Sequence, residues 1–272
     1  MTMEPSTAEN DTYEAPAILG EEAIIFPNME VNMMVRDPKG VAATAQAFRE
    51  HNLIVLVPAT SAKGAEGSIG TLVLLRRTVP AEGSGALSLW KGLWRVKIDR
   101  IVGEEPYLRV RFSRAGGSED LPSQSALMKV VFGQIDEFVK AIPEIPSEII
   151  AYLKGVDSPG KLADLCAYSP FFTRDERLDL LRTLDPEERL RKVNRLFERQ
   201  LDTMKALAKV TPILECPVCI ELADRALEQG PDARAQVAQE FLDHVVREHP
   251  DELLGLLVEK YGPAFMRRRA LK

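Results

Sequence analysis

GTLVLLRRTVPAEGSGALSLWKGLWRVKI, residues Gly70 to Ile98, sets two β-rich arms around a turn-forming middle. Leu72, Val73, Leu74 and Leu75 make the first arm, and Leu89, Leu93, Trp94, Val96 and Ile98 the second. Pro80, Gly83, Ser84 and Gly85 between them predict a hairpin with a long loop. No side chain in the stretch is chemically reactive, so a function built on it is binding through shape and surface.

Upstream, Ile24-Ile25-Phe26-Pro27 and Val31 to Val35 predict two short strands broken by Pro27-Asn28. After Asp37-Pro38 a helix is expected to bury Val41, Ala45 and Phe48, and Leu53 to Val57 reads as a buried strand. Thr60 to Ser68, with Gly64 and Gly67, reads as a flexible loop. Downstream, Tyr107 to Phe112 alternates with period two: Leu108, Val110 and Phe112 point to a core, and Tyr107, Arg109 and Arg111 share the other face. Several strands with one helix imply a small, closed or nearly closed β-domain.

The 272-residue chain has room for two or three modules. Its net charge of −6 gives no polyanion-binding footprint for the whole chain, although Arg267, Arg268 and Arg269 form a local basic tail. No run of roughly eighteen apolar residues predicts a transmembrane helix. The acidic start, MTMEPSTAENDTYEAP, lacks the bases and apolar core of a secretory signal. A cytoplasmic location is expected, with Cys166, Cys216 and Cys219 reduced there and read as core or metal ligands before disulfides.

The order IIFP, VNMMVRDP, a helix, LIVLVP, GTLVLLRR, GLWRVKI and PYLRVRF resembles the N-terminal substrate-binding domain of the Lon family of ATP-dependent proteases. Asp157 to Asp164 (DSPGKLAD) and Leu184 to Leu190 (LDPEERL) resemble the helical subdomain that follows it in that family. The resemblance covers roughly residues 16 to 210 and implies a PUA-like fold and recognition of exposed or unfolded polypeptide. No G-x-x-x-x-G-K-[ST] occurs, Gly64 to Gly70 being glycine-rich but without the lysine, and the family's serine-lysine protease domain has no counterpart. The expected protein is therefore not an enzyme.

The helical part also stands on its own physics. Ser113 to Ser125 reads as a linker, after which Met128, Val131, Ile135, Phe138 and Ile142 recur at helical spacing. Glu148 to Lys154 is a shorter helix, and Ser158-Pro159 opens the next in N-cap and N1 order. Thr173 with Glu176, and Asp185 with Glu188, have capping-box spacing. A long helix then carries Leu190, Val193, Phe197, Met204 and Leu207 near one stripe, which predicts core.

From Thr211 a different signal begins. Cys216-Pro-Val-Cys219 is followed by two helices, the second ending at His244-Val-Val-Arg-Glu-His249-Pro250. Two cysteines with two residues between them and two histidines with four between them are zinc-ligand spacings, and four protein donors make a structural site. In a regular helix His244 and His249 would diverge by about 140°. Pro250 pushes His249 out of the α region and lets it swing towards His244. The competing readings are an apolar cysteine pair with two surface histidines, a thioredoxin-like redox pair, and a hydrolase with an open zinc position. His51 reads as a helix-end surface residue and Cys166 as core. Asp251 opens a last helix through Leu253, Leu254, Leu257 and Val258 before Gly262-Pro263.

The sequence thus predicts an α+β protein: a PUA-like β-barrel, a helical bundle and a small zinc-bound helical module. The expected divisions are a disordered tail over 1–15, the β-domain over 16–115, the helical subdomain over 116–210 and the C-terminal module over 211–272. Zn²⁺ is expected on Cys216, Cys219, His244 and His249, with no catalytic residues. Expected partners are protein or peptide clients, held on apolar surface between β-domain and bundle, and a separate ATP-dependent protease for which the chain is an adaptor. Trp90 and Trp94 are candidate contacts, a buried tryptophan being the alternative. The competing function is RNA binding through Tyr107, Arg109 and Arg111, which the acidic balance disfavours.

Overall fold

The computed structural model describes residues 12–20, 24–81, 85–116, 125–142, 145–228 and 231–253. They fall into two compact units, Met1–Phe197 and Glu198–Lys272.

In the first unit β1 (Thr12–Leu19), β2 (Glu30–Val35), β3 (Leu53–Val57), β4 (Ile69–Ala81), β5 (Gly85–Gly103) and β6 (Arg109–Arg114) form one sheet in the order β2-β5-β4-β3-β1-β6. β5 pairs with β6 as well as with β2 and β4, so the ladder leaving β5 through β4, β3 and β1 returns to it through β6. The length of β5 makes this possible. Ala86 to Lys91 pair with β2, while Val96 to Gly103 pair with β6. Register shifts between Leu72/Val73 and Leu75/Arg77 bend the long β4–β5 ribbon, as an extra residue in one strand does.

The hairpin centred on Gly70–Ile98 is present, but its strands consume most of the expected loop: Pro80 lies opposite Ala86 and Ala81 opposite Gly85. Gly83 and Ser84 lie outside the described residues. Thr12 to Ala15, placed in the tail expected over 1–15, belong to β1, where Tyr13 faces Phe112 and Glu14 faces Arg111. Residues 1–11 are outside the described set.

Ile24, Ile25 and Phe26 are buried without forming the predicted strand. They cross β5 at Gly92, where a Cβ would sit 2.2 Å from the Phe26 carbonyl oxygen. Asn28 N–H donates to Gly92 O and Gly92 N–H to Met29 O, both at 2.9 Å, so this backbone is satisfied without a ladder. An apolar run cannot by itself distinguish a buried strand from such a crossing.

Helix α1 (Pro38–Arg49) starts where expected, with Asp37 accepting from Gly40 N–H at 2.8 Å. Its buried face is Gly40, Ala43, Thr44 and Ala47; Ala45 is exposed and Val41 and Phe48 are half-buried, contrary to the predicted stripe. Close approach explains the difference: a Cβ on Gly40 would lie 2.8 Å from Val35 Cγ1, so only the small side chains fit between helix and sheet. The expected loop over Thr60 to Ser68 holds one helical turn, α2 (Ala62–Ala65), which buries Ala65.

The helices α3 (Ala126–Ala141), α4 (Ser147–Lys154), α5 (Pro159–Cys166) and α6 (Arg174–Arg182), with the start of α7 (Pro186–Glu215), complete the unit. α3 buries Met128, Val131, Ile135 and Phe138, the predicted stripe. Phe138 meets Phe197 edge-on, with centroids 5.0 Å apart, and Phe171 in a stack at 5.8 Å. Thr173 and Glu176 form both halves of a capping box, and Asp185 accepts from Glu188 N–H at 2.7 Å. Among the described residues no helix is long and apolar enough to cross a membrane.

Sheet and helices share a charged core that the sequence reading did not find. Arg95 on β5 donates from Nη1 and Nη2 to the two oxygens of Asp164 on α5, at 2.9 and 2.6 Å, and from Nε to Leu181 O at 2.8 Å. Arg189 on α7 stands 2.9 Å from Asp164 Oδ1 and donates to Thr183 O at 2.6 Å. All three side chains are fully buried. This network ties sheet and helices together within the first unit, Met1–Phe197. Replacing Asp164 by Ala leaves two buried guanidiniums without their counter-ion, so unfolding in urea is expected to show a loss of about 3–5 kcal/mol; a loss under about 1 kcal/mol would refute this role.

Candidate functional site

In the second unit α8 (Pro217–Glu228) and α9 (Pro231–Glu248) follow the end of α7. Cys216 stands at the start of α8, its carbonyl accepting from Ile220 N–H at 3.0 Å. Cys219 lies in the first turn and is buried, as is His244 on α9. His249 N–H donates to Val245 O at 2.9 Å and its carbonyl accepts from Leu253 N–H at 3.1 Å. The residue before Pro250 thus closes the last helical hydrogen bond of α9 and also opens the turn that follows. Leu254 onward, including Leu257, Val258 and the basic tail Arg267 to Lys272, lies outside the described residues.

The four predicted ligands come together. One donor atom from each of Cys216, Cys219, His244 and His249 lies within 4.8 Å of all the others. Cys216 Sγ is 3.3 Å from His244 Nε2, and the imidazole centroids are 5.6 Å apart with planes at 66°. Nε2 of His249 is buried without a hydrogen-bond partner. The Cys216 thiol is pushed down to about 6, first by the hydrogen bond from Cys219 N–H and then by the imidazoles of His249 and His244. The Cys219 thiol is pushed up to about 11 by burial and by its neighbour Cys216. Ile213, Cys219 and Val245 form a buried apolar cluster here, with Cys216, Phe241 and Leu253 against it. Cys166, far along the chain, is buried in the first unit as expected, its thiol raised to about 12 by desolvation.

The surface features of the first unit bear on binding. Trp90 is wholly buried, which removes it as a contact, and Trp94 is half-buried with the Arg114 guanidinium 5.3 Å above its ring. The strand face predicted to carry RNA is already engaged within the protein. Arg109 pairs with Glu50 at 2.9 Å and Arg111 with Glu14 at 2.6 Å. Tyr107 precedes β6, and Leu108, Val110 and Phe112 are buried as predicted.

Sequence reading missed the solvent face of the β2–β5 ribbon. Met34 lies opposite Leu87, and both are exposed, 46% and 36%; Asn32 lies opposite the half-buried Leu89. Residues directly opposite in an antiparallel pair share a face, so Asn32, Met34, Leu87 and Leu89 form one patch. The other face carries the buried Val35, Ser88 and Trp90. Period-two alternation in β2 was the available signal, hidden because Val31 to Val35 is apolar on both faces but for Asn32. α4 adds Ile149 and Tyr152, exposed by 51% and 61%. The groove between α6 and α7 instead offers charge, with Lys192 bound to Asp179 at 2.6 Å.

A family model described as the ATP-dependent protease La (LON) substrate-binding domain matches residues 14–199. The Lon protease of Chloroflexus aggregans is 31% identical over 208 residues, covering 72% of this chain and 25% of that protein. That of Chloroflexus aurantiacus is 32% identical over 216 residues, covering 76% and 26%. The chain thus spans about a quarter of the length of these curated relatives. The N-terminal domain of a Mycobacterium avium complex Lon protease superposes with a TM-score of 0.56 at 20% identity, covering 68% of this chain and 98% of that one.

Glu50 is held below the usual carboxylate range first by its hydrogen bond with Arg109. A depressed carboxylate adds stability above its unfolded value and loses it as pH falls through the folded one. Acid titration of stability is therefore expected to show a step below about pH 4.3 that Glu50→Gln abolishes, worth about 0.2–1 kcal/mol for a pair this accessible; an unchanged acid limb in the variant would refute the pair's contribution.

Proposed function

Since the chain belongs to the family of the Lon substrate-binding domain, we propose that it holds exposed or unfolded polypeptide segments without catalysing their cleavage, and presents them to a separate ATP-dependent protease. The family match over residues 14–199 carries this reading. The closed circuit of β5, β4, β3, β1 and β6 supports a PUA-like barrel as the frame. The matched segment is the one that the relatives place within a longer protease, so the client role transfers and the motor and protease roles do not.

The seat we assign to clients is the Met34–Leu87–Leu89 patch. It is apolar, it faces solvent, and β2 is an edge strand in the described sheet, paired with β5 alone. An extended apolar segment could bury its side chains on that face and place its backbone beside β2. RNA binding is the weaker alternative, because Arg109 and Arg111 already have carboxylate partners.

Fluorescence anisotropy with a labelled, permanently unfolded polypeptide tests the assignment. The double variant Met34→Asp, Leu87→Asp is expected to weaken binding about tenfold or more, since each apolar side chain contributes roughly 1.5–3 kcal/mol when buried. Wild-type affinity should change little between low and high salt. Unchanged affinity in the folded double variant would remove the patch, and a steep loss of affinity with salt would favour a polyanion instead.

A further inference from the structure

We propose that Cys216, Cys219, His244 and His249 bind one zinc ion in a closed, structural site that joins the start of α8 to the end of α9. Zinc bonds of about 2.3 Å to sulfur and 2.0–2.1 Å to imidazole nitrogen put tetrahedral donors about 3.3–3.8 Å apart. The Cys216–His244 separation of 3.3 Å is already at that spacing, and a small contraction of a set within 4.8 Å brings in the other two.

The surroundings fit a cation and not an empty polar cluster. Two thiolates offset the charge of Zn²⁺, so a neutral centre can sit beside Ile213, Val245, Phe241 and Leu253. The metal also supplies a partner for the buried Nε2 of His249, which has none in the protein. α8 contributes its N-terminal end, where the Cys219 N–H already points at the Cys216 sulfur; α9 contributes His244 and the residue at its end. A catalytic zinc keeps one position open, whereas these four donors fill the shell. No carboxylate belongs to the set, which selects zinc over harder cations.

The packing gives the metal its task. Among the described residues the apolar cluster at the site has three buried members, one of them the ligand Cys219. Bonds from α8 and α9 to one ion therefore cross-link the two helices at this cluster. This inference is independent of the client-binding reading, and its test uses no client.

The full chain, purified without chelator, is analysed for metal by mass spectrometry. About one zinc per chain is expected, kept in Cys166→Ala and lost in Cys216→Ser and His244→Ala. Because a ligand variant could fail to fold, the wild-type protein is also exchanged with cobalt(II). Tetrahedral ligand-field bands with thiolate-to-cobalt charge transfer are expected, and His249→Cys should keep the metal while strengthening the charge-transfer band. Chelation should raise amide exchange in α8 and α9 at least about tenfold while leaving α3 and the sheet unchanged. Zinc below about one-tenth per chain without cobalt bands, or full occupancy in both ligand variants, would overturn the site.

Discussion

The carboxylate of Asp164 is the point on which the first unit turns. It is buried between the guanidiniums of Arg95 and Arg189, one from the sheet and one from the helices. Three charges withdrawn from water are tolerable only when their geometry and remaining hydrogen bonds are satisfied. The carbonyls of Leu181 and Thr183 supply acceptors, and the Phe26 ring lies 5.7 Å from the Arg95 guanidinium carbon. Because these partners come from β5, α5, α7 and the crossing segment, the network specifies how sheet and helices are assembled as well as that they associate.

Around that network the sheet is shaped by close approaches. Glycine at positions 40 and 92 lets a helix and an irregular segment lie against the strands at distances a side chain would forbid. β5 can then serve three partner strands, and its first half carries β2 outward as a ribbon. The buried Trp90 and the exposed Leu87 are three residues apart on one strand and on opposite faces, so one short segment both anchors the core and presents an apolar surface.

The second unit solves a different problem. Its described core is small, and polar ligand-type side chains converge at that core. A cross-linking cation suits such a convergence, because it satisfies polar donors beside apolar side chains. In the first unit no comparable set of sulfur and imidazole donors occurs among the described residues.

Local patterns alone specified much of this protein: the Gly70–Ile98 hairpin, the alternation at Leu108 to Phe112, the α3 stripe and the Thr173 capping box were legible because each depends on nearby residues, and the Cys216/Cys219/His244/His249 set was legible from the spacing within each of its two pairs. The order of segments was enough to indicate the family. Tertiary structure alone decided that Ile24 to Phe26 cross instead of pairing, that α1 buries its small residues, that Trp90 is core, and that Arg109 and Arg111 are occupied. It also joined Arg95 to Asp164, 69 positions apart. The physical reason is common to these cases. Periodicity reports which face of an element is apolar, whereas the partner of a charge and the distance between two backbones are set by elements remote in sequence.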